Sequence, residues 1–121
     1  MARGFRILFL RYVYSCDIHL VMDIHSVLAN CEGFQWDKGN SLKNWLKHGV
    51  TQGEAEEVFF HEPLLIFEDE KHSEHEDRLL ALGRTDEERH LVVAFTVRKN
   101  WIRVISARAM NKKERVVYEK S

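Results

Sequence analysis

A lysine and a histidine stand side by side at the end of a predicted helix, in the pattern Asn44-x-x-Lys47-His48-Gly49-Val50. The pattern brings a cation and a titratable imidazole to a helix C-terminus, where backbone carbonyls stabilise positive charge. Lysine and histidine are also common in last turns for structural reasons, and Gly49 is an ordinary residue after a helix. The spacing alone therefore favours a structural cap over a catalytic role for Lys47 and His48.

Arginines form the second candidate group. Arg103 lies inside an apolar strand near the C-terminus, and Arg108 follows at its exit. A guanidinium that is buried without a partner is costly, so each must reach solvent or a carboxylate. Strict alternation puts the two side chains on opposite faces, and they can serve one site only if a bulge intervenes or Arg108 lies beyond the strand. An ion pair with the acidic segment 68–77 is the competing interpretation, and it applies equally to Arg78 and Arg84.

Histidines in the acidic segment form the third candidate group. His72 and His75 lie three residues apart, with carboxylates nearby at Asp69, Glu74 and Glu76. Such side chains are metal ligands, but a flexible loop lacks the rigid spacing of a helical metal motif, and nothing marks the remaining ligands. A solvated loop is the favoured interpretation of this segment.

The elements that would position these residues fall into a helical half and a sheet half. Apolar residues at spacings of three and four predict a helix over Asp37–His48, and Thr51-Gln52-Gly53-Glu54 is a capping box that opens a second helix. Pro63 ends the helical half because it disfavours helical geometry in the residue before it. Runs of β-branched and aromatic residues then predict four strands, at Leu64–Phe67, Arg78–Leu82, Leu91–Val97 and Trp101–Ala107.

The short polar connections Gly83–His90 and Arg98–Asn100 favour antiparallel hairpins. A short basic helix is predicted over Asn111–Glu119. The sequence therefore predicts an α+β fold with two N-terminal helices, a four-stranded antiparallel sheet and a short C-terminal helix. We expect the helices to cover one face of the sheet and to leave the other face available.

Composition predicts a single cytoplasmic domain with polarised charge. A chain of 121 residues is too short for two independent cores. Residues 52–89 hold 13 Asp and Glu against 4 Lys and Arg, whereas residues 98–121 hold 8 Lys and Arg against 2 Glu. The basic part either binds a polyanion or neutralises the acidic part across the sheet. Cys16 and Cys31 imply no disulfide framework or zinc site, which suits a reducing compartment.

The first 21 residues are predicted to be an extension of the domain. Arg11 ends the apolar run Ile7–Leu10, which is too short for a signal-peptide core or a membrane span. Translation from Met22 would leave residues 1–21 as an upstream extension and residues 22–121 as the domain.

The ordered motifs resemble the BrnT toxins of bacterial type II toxin–antitoxin systems, once known only as a domain of unknown function. The resemblance runs from Phe34 to about Tyr118. The family normally lacks the region before Met22, and Asp77 stands where a second Glu is common before the arginine. The resemblance rests on these segments: Phe34-x-Trp36-Asp37, Asn44-x-x-Lys47-His48-Gly49-Val50, Glu54-Ala55-x-x-Val58-Phe59, Pro63, Asp69-x-x-His72-Ser73, Glu76-Asp77-Arg78, Leu82-Gly83-Arg84 and Arg103-Val104-Ile105-Ser106-Ala107-Arg108-x-Met110.

The resemblance implies a RelE-like fold, RNA cleavage that stops translation, and neutralisation by a BrnA-type antitoxin. The antitoxin carries the DNA-binding part, so DNA is expected only as an indirect partner, in a dimeric toxin–antitoxin assembly without membrane attachment. His48 would either transfer a proton during attack by the ribose 2′-hydroxyl or only position the RNA, and cations would bind the phosphate, without a metal or cofactor. The site residues implied by the resemblance are Lys47, His48, Arg84, Arg103 and Arg108.

Two other functions stay open at this point. A nucleic-acid-binding or antitoxin-binding module without catalysis would bind RNA in a salt-sensitive manner and leave it intact. A hydrolase that uses a metal at the His72 loop would lose its activity with a chelator.

Overall fold

The computed structural model describes Tyr12–Tyr14, residues 28–69 and residues 78–121. These parts of the chain form one sheet flanked by helices. The predicted α+β class and the short C-terminal helix are confirmed. The elements are β1 (Tyr12–Tyr14), β2 (Gly33–Trp36), α1 (Lys38–His48), α2 (Gln52–Glu57), a 3₁₀ turn (Val58–Phe60), β3 (Leu65–Glu68), β4 (Leu79–Arg84), β5 (His90–Arg98), β6 (Trp101–Ala109) and α3 (Lys112–Glu119).

The sheet is mixed, whereas the sequence predicted four antiparallel strands after two N-terminal helices. β3 to β6 do form an antiparallel meander. Before the helices, however, β2 pairs parallel with β6, and β1 pairs parallel with β3, which gives the order β1-β3-β4-β5-β6-β2. The prediction was wrong here because both parallel strands are only three or four residues long. Each also pairs with a strand far along the chain, so no local pattern indicates it.

The strand β1 lies within the segment that the sequence predicts to be an extension. Its backbone pairs with β3, in the register that places Tyr12 opposite Leu65. These three residues therefore join the sheet. Met22 lies outside the described residues, and a translation start there stays a prediction. No helix in the described ranges is long and apolar enough to cross a membrane.

The ends of α1 and the start of α2 lie where the sequence predicts them. Asp37 Oδ1 accepts a hydrogen bond of 2.8 Å from the Gly39 N–H, and Gly49 follows α1 with a φ of 63°. The Thr51 hydroxyl accepts from the Glu54 N–H at 3.1 Å, and Glu54 Oε1 accepts from the Thr51 N–H at 3.1 Å. These bonds depend only on residues close in sequence, which is why the predictions are confirmed.

The helix α1 turns a polar residue toward the sheet and its apolar residues toward solvent. Asn44 is buried, and its Oδ1 accepts a hydrogen bond of 3.2 Å from the backbone N–H of Ala107. β2 pairs with β6 only as far as Val104, and α1 packs beside the rest of that strand. The apolar spacing thus predicted the helix correctly, but it did not predict which side of the helix packs against the sheet. The large apolar residues of α1 are all more than half exposed: Leu42, Trp45 and Leu46.

Two apolar clusters lie on opposite faces of the sheet. α2 and the 3₁₀ turn cover one face, where the rings of Phe59 and Phe95 pack edge to face with centroids 5.1 Å apart. α3 covers the other face over β3, β4 and β5, where Tyr118 is buried and its hydroxyl donates to the Pro63 carbonyl at 2.7 Å. The expectation that this second face stays available is therefore wrong for the part beneath α3.

Candidate nucleic-acid interface

A bulge in β6 brings Arg103 and Arg108 to the same face of the sheet. Arg103 lies opposite Thr96 and Arg108 opposite Val92, and these partners are four residues apart on β5, hence on one face. The two arginines are five residues apart because Ile105 is an extra residue without a partner on β5. The sequence predicted that Arg103 and Arg108 could serve one site only if β6 had such a bulge or Arg108 lay beyond the strand, and the bulge is present.

Arg84 lies on this same face. It ends β4 opposite His90, which is two residues before Val92 and therefore points the same way. The surface that carries Arg84, Arg103 and Arg108 is termed the arginine face, and α3 packs on part of it. The sheet thus places three of the five predicted site residues on one face.

Arg108 is held by α3. Its Nη1 and Nη2 donate to Glu114 Oε1 and Oε2 at 2.7 and 2.8 Å, and Nη1 also donates to the Ala109 carbonyl at 3.2 Å. The hydrogen bonds to Glu114 raise the pKa of Arg108, and the same bonds lower the pKa of the Glu114 carboxyl. The carboxylate that pairs with Arg108 therefore comes from α3 and not from the acidic segment.

Arg84 and Arg78 also have carboxylate partners. Arg84 Nη1 donates to both carboxylate oxygens of Glu88, at 3.0 and 2.8 Å, in the turn between β4 and β5. Arg78 Nε lies 3.3 Å from Asp69 Oδ2, so Arg78 follows the predicted pairing with the acidic segment. The Arg84 side chain is 34% exposed, which leaves it accessible to an anion.

Arg103 differs because its guanidinium makes no hydrogen bond or ion pair within the described residues. It lies at an open pocket of about 520 Å³, between β2 and the first residues of β6. Cations beside aromatic rings are typical of surfaces that bind single-stranded nucleic acid. The other residues that line the pocket are Gln35, Trp36, Asp37, Arg98, Lys99 and Trp101.

Lys47 and His48 lie in the last turn of α1, which packs along the edge of β6. Lys47 is exposed and His48 is half-buried. In the part of the chain that the structure describes, neither side chain is hydrogen-bonded or ion-paired. The structure therefore places this pair on a different element from the three arginines.

The end of α1 is capped by Arg89, a residue that the sequence analysis missed. Arg89 Nη1 donates to the Gly49 carbonyl at 2.8 Å and Nη2 donates to the His48 carbonyl at 3.2 Å. Nη1 also lies 3.2 Å from Glu54 Oε2. Burial raises the pKa of Glu54, but backbone and side-chain hydrogen bonds outweigh burial and lower that pKa overall. No local signal marks Arg89, because its partners lie on distant α1 and α2.

His72 and His75 lie outside the described residues, so a metal ion there stays a hypothesis. Within the described ranges, no group of three or more His, Cys, Asp or Glu side chains is arranged to hold a metal ion.

Comparison with known proteins defines the class. Residues 36–114 match the family described as ribonuclease toxin, BrnT, of type II toxin–antitoxin system. The crystal structure of the Brucella abortus ribonuclease toxin BrnT is similar, with 23% sequence identity and a TM-score of 0.49. The match covers 66% of this chain and 97% of that chain. No curated protein matches the chain.

The matched residues include α1, the arginine face and Glu114 of α3. The class that they define is that of ribonuclease toxins from type II toxin–antitoxin systems. The chain belongs to the BrnT family of this class, as its motifs predicted. Membership implies RNA as the substrate and an antitoxin as the protein partner.

Proposed function

We propose that this chain cuts RNA without a metal ion, stops translation and is neutralised by a BrnA-type antitoxin. The observation that carries the proposal is Arg103, which has no carboxylate partner within the described ranges and lies at an open basic and aromatic pocket. Such a guanidinium binds a phosphate without first losing another partner. Arg84 and Arg108 stand on the same face, each in an ion pair with a glutamate that a phosphate would have to displace.

The reaction that these side chains suit is transesterification within the RNA. The ribose 2′-oxygen attacks phosphorus, the bond from phosphorus to the 5′-oxygen breaks, and a 2′,3′-cyclic phosphate and a 5′-hydroxyl result. His48 is the candidate that moves a proton, and such assistance contributes roughly 10²–10⁴-fold to the rate. Four cations are the candidates that stabilise charge on the phosphate: Lys47, Arg84, Arg103 and Arg108.

The position of Arg89 supports this role for Lys47 and His48. Arg89 already donates to the last carbonyls of α1, so neither of the other two side chains is needed to satisfy them. An exposed ammonium and a half-buried imidazole without described internal partners are available to a bound RNA.

The antitoxin would hold the toxin inactive in a dimeric cytoplasmic assembly, and only the antitoxin would contact DNA. A protein partner suits the exposed apolar side chains of α1, since large apolar residues that lie together on a surface often mark protein contacts. The partner also suits the toxin class, in which the two proteins act as a pair.

The test is incubation of the purified full-length chain with single-stranded RNA in EDTA, followed by analysis of the RNA ends. We expect cleavage in the presence of the chelator, with 2′,3′-cyclic phosphate ends. Loss of cleavage in EDTA, with recovery after a divalent cation is added, would contradict the metal-independent reaction. Growth arrest on expression, relieved by a co-expressed antitoxin, would support the cellular role.

A binding module without catalysis is the second candidate. It is favoured by the ion pairs that already occupy Arg84 and Arg108, because paired guanidinium groups are less available for catalysis. This candidate predicts RNA binding that weakens with salt and RNA that stays intact after incubation with the chain.

A further inference from the structure

Trp101 forms a flat platform at the pocket beside Arg103. It is the first residue of β6 and lies opposite Gly33 of β2. A Cβ added at Gly33 would stand only 2.9 Å from Trp101 Cζ3, so glycine allows the indole to lie directly over the β2 backbone. The backbone supports one side of Trp101, and 37% of the residue remains exposed. A supported and accessible indole is the arrangement on which a nucleobase stacks.

Positive charge surrounds this platform. Arg98 precedes the hairpin turn that leads to β6, Lys99 lies in the turn, and Arg103 lies two residues beyond Trp101. Lys99 and Asn100 both have positive φ, of 50° and 66°, which is typical of a tight two-residue hairpin turn. Three cations thus line the same pocket as the indole. Cations spaced about an aromatic ring can bind the phosphates on either side of a stacked base.

Gln35 adds a polar group that can read a base. It lies opposite Arg103 on the strand next to β6, and its side chain is exposed at the pocket. A glutamine amide offers both a donor and an acceptor to the edge of a base. Among the described residues that line the pocket, Asp37 is the only carboxylate, against three cations, so the pocket favours an anionic ligand that carries an aromatic ring.

We infer that this pocket is a nucleobase subsite for single-stranded RNA, in which a base stacks on Trp101, Gln35 contacts its edge and Arg103 binds an adjacent phosphate. The inference rests on the proposed function, because it takes RNA as the ligand and assigns one nucleotide of that RNA to the pocket beside Arg103. The subsite would give the toxin a sequence preference at one nucleotide, separate from the proton transfer assigned to His48.

The test measures binding apart from cleavage. The probe is a labelled 2′-O-methyl RNA of about six nucleotides, which lacks the nucleophilic hydroxyl, and the readout is fluorescence anisotropy at several salt concentrations. Trp101→Leu is expected to weaken binding about 5-fold to 150-fold while the slope against salt stays unchanged, because stacking carries no charge. Trp101→Phe should retain most of the affinity. The matched control is Trp45→Leu, which removes an exposed tryptophan of α1 and should bind like the parent chain.

A second probe carries an abasic nucleotide at each position in turn, with the phosphate charge unchanged. The parent chain should bind one of these probes more weakly than the complete RNA, and Trp101→Leu should not distinguish them. Equal binding of all probes by the parent chain, or binding by Trp101→Leu within about twofold of the parent, would overturn the subsite. If Arg103→Met still weakens binding in that case, the proposed ribonuclease function stands without the subsite. If the parent chain binds no RNA at all, both proposals fail.

Thermal unfolding separates these effects from misfolding, because Trp101 also packs on β2. If Trp101→Leu does not fold, the abasic probes on the parent chain still decide the question.

Discussion

Arg108 and Glu114 form a two-bond ion pair that holds α3 against the arginine face, with nitrogen to oxygen distances of 2.7 and 2.8 Å. Glu114 also accepts a hydrogen bond of 2.8 Å from the Asn111 N–H at the start of α3. One carboxylate therefore serves both the helix start and the arginine. A phosphate that binds Arg108 has to compete with Glu114.

The first prediction concerns release of Arg108. Glu114→Gln removes the competing charge, so we expect tighter binding of RNA and a salt slope that is steeper by about 0.7, as for one more phosphate contact on a single strand. The measurement is a binding titration at several salt concentrations. Glu119→Gln changes an exposed glutamate of the same helix and is the control for net charge. Equal affinities and slopes for the two variants would show that Arg108 does not bind the RNA.

The second prediction concerns pH and stability. The pKa of Glu114 is lowered in the folded protein from its ordinary 4.5, so the unfolded chain binds this proton more readily. The stability that the pair contributes is therefore present above the ordinary pKa and is lost as pH falls through the lowered one. Urea unfolding between about pH 6 and pH 3 should show a smaller loss of stability for Glu114→Gln than for the parent chain. An identical pH dependence in both chains would contradict this account.

The third prediction concerns catalysis. His48→Ala should lower the rate of RNA cleavage roughly 10²–10⁴-fold, because a group that moves a proton is lost. Arg108→Ala should also relieve growth arrest, and both variants should keep a folded circular dichroism spectrum. His61→Gln is the matched control, since His61 Nε2 lies 2.6 Å from Asp86 Oδ1 and neither residue belongs to the proposed site. Full toxicity of both His48→Ala and Arg108→Ala would remove these residues from the site.

The fourth prediction concerns the packing of α1. Asn44→Ala removes the acceptor of the buried Ala107 N–H, and we expect the free energy of unfolding to fall by about 1–3 kcal/mol. Leu46→Ser changes an exposed residue of the same helix and should alter the free energy of unfolding by less than about 0.5 kcal/mol. Urea unfolding compares the two. A larger loss for Leu46→Ser than for Asn44→Ala would mean that α1 packs through its apolar residues.

Sequence reasoning succeeded where the deciding contacts are close along the chain. Asp37 caps α1, and Thr51 and Glu54 cap α2, because each bond joins residues within three positions. The antiparallel pairing of β4, β5 and β6 followed from short connections for a similar reason. These local interactions fixed most of the secondary structure but not the arrangement of the site.

Contacts between distant segments decided the rest of the arrangement. The shared face of Arg103 and Arg108 depends on Ile105 having no partner on β5, and no composition or period within β6 reveals such a register shift. Arg89 meets the Gly49 carbonyl across 40 residues of sequence, so its capping role depends on tertiary structure. The roles assigned to Lys47 and His48 came from the family resemblance and await the variants described above.

The position of α1 also limits how a second chain can approach β6. Unpaired strand edges invite other polypeptides to add a strand, which is both a route to aggregation and a common way to bind a peptide. Here β2 pairs with the first part of β6, and Asn44 takes the Ala107 N–H farther along. An antitoxin strand that pairs directly with β6 must therefore displace β2 or α1, whereas a strand added to the sheet on this side would pair with β2.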